Sequence, residues 1–108
     1  MDYRKVTAII RADVLEKVER KLQAIAVTGI SVTKVKGYGE YSNFYSKDWM
    51  VDHARIEIFT HKSKADAIVR NIIETAHVGL EGDGVVAVLP VEKLYRIRSQ
   101  FEAIVDDV

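Results

Sequence analysis

Apolar residues recur along this chain with two periods, and each change of period marks the edge of an element. Lys5 to Ile10 is apolar and rich in β-branched residues, the composition of a strand buried on both faces. The period then lengthens. Val14, Val18, Leu22 and Ile25 share one helical face while Lys17, Arg20 and Lys21 face water, with Asp13 placed to cap the helix start and Glu16 three residues on. Thr28-Gly29 is the expected stop, and Ile30 to Lys36 alternates imperfectly as a second strand would. Arg55 to Thr60 alternates as a third strand, with Ile56 and Ile58 on one face. A second helix is expected from Ser63, capped by its hydroxyl with Asp66 three residues later. Ala65, Ile68, Ile72 and Ala76, with Val69 and Ile73 beside them, give it a wide apolar stripe. Val85 to Leu89 reads as a fourth strand. Pro90 should then interrupt pairing, Glu92 to Arg98 form a short turn and strand, and Ser99 to Val108 form a weakly ordered or surface-docking tail.

The two halves repeat. Ala26-x-x-Gly29 and Ala76-x-x-Gly79 close the two helices at one constant offset, and the strands that end near Ile10 and Thr60 keep that offset. A duplicated strand-helix-strand unit predicts the α+β, ferredoxin-like arrangement: a four-stranded antiparallel sheet with two helices on one face. The other face stays open, and uncovered strands such as Val85 to Leu89 predict association through it.

Two stretches break the periodicity. From Glu40 to about Asp52 the chain is polar and aromatic without a period, with Tyr41, Asn43, Phe44, Tyr45 and Trp49, which fits either a partner-contacting loop or a β-hairpin arm with aromatic cross-strand pairs. Gly79-Leu80-Glu81-Gly82-Asp83-Gly84 can take positive φ and bring backbone N–H groups close to an anion. Arg96 and Arg98, one residue apart, would point the same way on an extended segment and complete a phosphate site.

Composition narrows the function. The chain of 108 residues is long enough for one domain, and its 16 basic residues equal its 16 acidic ones. A neutral chain lacks the basic footprint of a nucleic-acid binder. There is no cysteine, hence no disulfide framework or thiolate zinc site. His53, His61 and His77 share no spacing for joint metal ligation, and no nucleophile or acid–base pair stands out, so neither a metal site nor an enzyme is expected. No stretch near Met1 reads as a signal peptide, and no apolar run approaches the ~20 residues of a membrane span, which leaves a cytoplasmic protein as the expectation.

Val32-Thr33-Lys34-Val35-Lys36-Gly37-Tyr38-Gly39, Arg55-Ile56-Glu57-Ile58, Gly82-Asp83-Gly84 and Arg96-Ile97-Arg98 together resemble the PII signalling protein family, over about residues 5–98. The resemblance implies a homotrimeric cytoplasmic regulator with an adenine nucleotide in the cleft between subunits. It implies that Ser31 reaches the base, that Glu57 and the backbone at Ile58 and Phe59 line the cleft, and that Gly37, Tyr38 and Gly39 adjoin it. Gly82, Asp83, Gly84 and Val85 would wrap the phosphates, with Arg96 and Arg98 closing the site.

Departures from the family pattern shape the expectation further. Val85 stands where the family usually has a lysine, so the outer phosphates lose a cation and ADP or AMP should bind at least as tightly as ATP. Tyr41 and His53 replace the glutamine and lysine of the family's Mg-ATP and 2-oxoglutarate site, and neither reproduces it. The loop, about residues 37–54, is shorter than the family's T-loop, and Tyr45 lacks the family's sequence around a modified tyrosine. A shortened, aromatic loop resembles PII-like branches linked to bicarbonate uptake, carboxysome gene clusters or metal transport, and by family analogy Tyr41, Phe44, Tyr45 and Trp49 are expected to contact a partner such as a membrane transporter. The alternative is a metal-tolerance or structural trimer of the same fold that ignores nucleotides.

Overall fold

The computed structural model describes residues 1–37 and 51–103. Four strands, β1 (Tyr3–Arg11), β2 (Ser31–Gly37), β3 (Val51–His61) and β4 (Val85–Val91), form one sheet in the order β2-β3-β1-β4 with every neighbour antiparallel. Helices α1 (Leu15–Ala24) and α2 (Lys62–Ala76) follow β1 and β3, and they pack on each other and against the sheet. A short ribbon pairs β5 (Tyr95–Arg96) with β6 (Phe101–Glu102). This is the α+β, ferredoxin-like architecture that the repeat predicts.

The core lies between sheet and helices. Val6, Ala8 and Ile10 of β1 stand opposite Ile58, Ile56 and Ala54 of β3 and meet Val18 and Leu22 of α1 and Ala65, Ile68, Ile72 and Ala76 of α2. Each fully buried Ile, Leu or Val contributes about 1.5–3 kcal/mol. On the opposite face Lys5, Thr7 and Ile9 are only half-buried, so β1 alternates instead of burying both faces. Helices cover one side alone, and Phe59, Val85 and Leu89 are exposed on the other.

Several element ends differ from expectation. Asp13 lies in a 3₁₀ turn, Ala12–Val14, and the residue that caps α1 is Val14, with no side-chain bond. At α2 the cap is His61, whose Nδ1 accepts the Ser63 N–H at 3.1 Å; the helix begins at once after β3, which puts Ser63 inside its first turn. Gly29 does not stop α1. Ala26 does, at φ 67, with its N–H donated to the Gln23 carbonyl and the Val27 N–H to the Leu22 carbonyl at 3.0 Å each, a Schellman motif with alanine in the glycine position. Pro90 lies within β4 and is paired in register with Arg4, because β4 is an edge strand and its outward side needs no donor. Residues expected to begin a weakly ordered tail instead enter the ribbon through Phe101 and Glu102.

The expectations for Tyr38, Gly39, Tyr41, Phe44, Tyr45 and Trp49, and for the chain end at Asp106 and Asp107, lie outside the described residues. No helix among the described residues is long and apolar enough to cross a membrane.

The left-handed alanine gives a stability test. Ala26→Gly removes a Cβ strained by roughly 1–2 kcal/mol and adds back chain entropy in the unfolded state, for a net gain of about 0.5–1 kcal/mol. Urea unfolding should show the midpoint rise with no change in slope.

Candidate functional site

The glycine loop between α2 and β4 is fastened from within. Gly79, Gly82 and Gly84 hold φ values of 86, 88 and 101°, which favour glycine. A Cβ at Gly84 would overlap the Ile9 backbone carbonyl, so β1 and the loop approach more closely than any side chain permits. Asp83 turns inward: Oδ2 accepts the Val78 and Gly79 N–H groups at 3.1 and 2.9 Å, and Oδ1 lies 3.3 Å from Arg11 Nε. Arg11 also donates to the Glu81 carbonyl, and His77 Nδ1 is 3.6 Å from Asp83 Oδ2. His53, 1% exposed, donates from Nε2 to the Gly82 carbonyl at 2.9 Å. Partial burial pushes the Asp83 carboxyl up, but the Gly79 and Val78 amides and the Arg11 guanidinium outweigh it and hold it below the ordinary aspartate value.

This wiring assigns roles that sequence reading missed. The Asp83 carboxylate is used inside the loop and is turned away from any ligand. The backbone N–H groups of Gly82, Asp83 and Gly84 make no hydrogen bond to another described residue. Arg11 and His53 anchor the loop. His53 is thereby occupied and buried.

The second feature is a cavity of about 700 Å³ at the other end of the sheet. It opens where β2 stops short: β2 begins at Ser31 opposite Glu57, so β3 runs on through Ile58, Phe59 and Thr60 with no strand on that side. Ser31, Glu57, Ile58, Phe59 and Arg96 all line it. The Glu57 carboxylate is held by Lys5 at 3.1 Å and Arg55 at 3.3 Å, and Lys5 Nζ lies 5.9 Å from the Phe59 ring centroid.

One protomer does not bring the two features together. Ser31 is level with Glu57 and Thr7, while Gly84 sits against Ile9 and Asp83 against Arg11. Thr7 and Arg11 are roughly 13 Å apart at ~3.3 Å per strand residue. Gly82, Asp83, Gly84 and Val85 therefore stand apart from Ser31, Glu57, Ile58, Phe59 and Arg96. Nor do the two arginines point the same way. β5 ends at Arg96, and the chain turns through residues 97–100, with Gln100 at φ 66 and its N–H on the Arg96 carbonyl at 2.9 Å. Arg98 is an exposed turn residue and does not line the cavity.

These features define a small ferredoxin-like domain with a prebuilt glycine loop, an open sheet face and a separate apolar cavity. Residues 3–100 match the family described as Nitrogen regulatory protein P-II, and the chain belongs to that family. It is 33% identical over 103 residues to Nitrogen regulatory protein P-II of Pasteurella multocida and 35% to Nitrogen regulatory protein P-II 1 of Escherichia coli, covering 89% of this chain and 92% of each relative. The solved structure of Arabidopsis thaliana PII bound to citrate superposes with a TM-score of 0.81 at 32% identity, covering 94% of this chain and 89% of that one.

Gly84→Ala should cost more than ~3 kcal/mol, because both the left-handed backbone and the Ile9 carbonyl oppose a Cβ; thermal unfolding measures it. Asp83→Asn should cost about 1–3 kcal/mol at neutral pH. The Asp83 pKa is lowered on folding, so its stabilisation is complete above the unfolded value, near ~3.9, and is lost as pH falls through the lower folded value. The gap in stability between wild type and Asp83→Asn should accordingly close on acidification below about pH 4.

Proposed function

We propose that this protein is a nucleotide-responsive regulator in which a homotrimer holds adenine nucleotides between neighbouring protomers. The base occupies the cavity beside β3, and the phosphates extend to the glycine loop of the adjacent protomer. What carries this reading is the uncovered edge of β3 at Ile58–Thr60. An edge with no strand beside it presents backbone N–H and C=O groups in a fixed row, and a purine presents a matching donor–acceptor edge. Ser31 and Glu57 add side-chain polar groups at the same place, and Ile58 and Phe59 supply apolar walls.

Two further observations favour it. Separation of the loop from the cavity within one protomer is what a site shared between copies requires, and the exposed Phe59, Val85 and Leu89 give the open face a reason to associate. Val85 leaves the loop without a lysine for the outer phosphates, so ADP and AMP bind at least as tightly as ATP. A small anion such as bicarbonate is the second ligand. The solved Arabidopsis relative carries citrate, a small carboxylate. The segment of about residues 37–54 contacts the partner through Tyr41, Phe44, Tyr45 and Trp49, and the partner is a regulated protein such as a transporter. The protein regulates and does not catalyse.

Calorimetry tests the reading directly. ADP and AMP should bind in the micromolar range, ATP no more tightly, and Arg96→Ala should weaken ADP by at least tenfold. Light scattering should give the mass of three chains. No heat with ATP, ADP or AMP, together with a melting temperature that ignores all three, would leave the metal-tolerance or structural trimer as the better account.

A further inference from the structure

The cavity beside β3 does not end at the residues that face the base. It continues along the first three turns of α2, where Ser63, Lys64, Ala67 and Asn71 also line it. Its lining carries both signs of charge. Glu57 accepts and is already balanced by Lys5 and Arg55. Lys64 and Arg96 line it with no ion-pair partner among the described residues. Lys62, two residues earlier, is occupied by Asp2 at 3.6 Å and lies outside the cavity. Asp66 also lies outside it, so no α2 acid lines the cavity beside Lys64.

A ligand with a donor-bearing ring and an anionic group matches this polarity. With the ring at Ser31 and Glu57, the anion falls at Lys64 and Arg96 of the same protomer. We infer that Lys64 supplies the phosphate-binding cation that Val85 cannot, acting with Arg96 on the phosphate nearest the nucleoside. The inference rests on the nucleotide reading above and deepens it. Lys64 and Arg96 reach from the protomer that holds the base, whereas a lysine at 85 would reach from the glycine loop toward the outer phosphates. The cation has changed ends, and a nucleoside monophosphate becomes a complete ligand. Neither charge has an ion-pair partner among the described residues, so binding a phosphate breaks no ion pair there.

Calorimetry with AMP and with uncharged adenosine, on wild type and on Lys64→Ala and Lys62→Ala, tests this. Lys64 is exposed in the first turn of α2, where alanine is a good helix former, so the variant should fold. AMP should bind Lys64→Ala about tenfold or more weakly, adenosine should bind both proteins alike, and Lys62→Ala should match wild type. Unchanged AMP affinity in Lys64→Ala, or an equal loss for AMP and adenosine, overturns the inference while the nucleotide reading stands. Absence of AMP binding to the wild type overturns the inference, and absence of ADP and ATP binding as well overturns both.

Discussion

The close approach of Gly84 to the Ile9 carbonyl is the constraint on which the functional geometry depends. β1 is an interior strand, paired with β3 on one side and β4 on the other. Contact between the glycine loop and that backbone fixes the loop's height above the sheet, and the inward Asp83 fixes its shape. A loop this polar would ordinarily sample many conformations. Here Arg11 from β1 and His53 from β3 hold it, so its shape is set by the protein's own contacts. Under the proposed reading, donors organised in this way would bind an anion without the cost of ordering them at that moment.

Topology then separates what chemistry needs together. The loop enters β4 at one end of the sheet, while the shortness of β2 opens the cavity toward the other. Because β1 to β4 are antiparallel and only about 7–11 residues long, neither feature can migrate toward its counterpart without changing the register that buries Val6, Ala8 and Ile10. A one-residue slip would turn that row to solvent. In the proposed site, a second protomer alongside would join the two features and leave every strand pairing intact.

Long periodic features were legible in the sequence because they are averages over many residues. The α2 stripe of Ala65, Ile68, Ile72 and Ala76 is buried as its spacing predicts, and the repeat offset alone yields the sheet and its two helices. The same offset misleads about local conformation: Ala76 is the last residue of its helix, whereas Ala26 adopts the left-handed geometry beyond the end of its own. Caps turn on a shift of one or two residues, which is why Asp13, Ser63 and Gly29 do not play the parts their types suggest. The Arg11–Asp83 pair spans 72 positions and leaves no local trace. Arg96 and Arg98 were read as strand neighbours, but a two-residue strand is too short to impose alternation past its end. Lys64 was hidden by its type, since a lysine at the start of a helix ordinarily faces water.

His53 links the loop to the rest of the chain in a way that neither element would alone. It lies on β3 two residues after Val51, the first residue of that strand. Its ring donates to the Gly82 carbonyl from a site almost without solvent, so breaking that bond would strand a buried acceptor at a cost of about 1–3 kcal/mol. A displacement of Gly82 is therefore resisted by β3, and a displacement of the β3 start is felt at Gly82. Side-chain identity matters here as much as position. A lysine at 53 would carry its charge on a flexible stem, whereas the imidazole presents one fixed N–H to one carbonyl. In this chain that position holds the loop in shape.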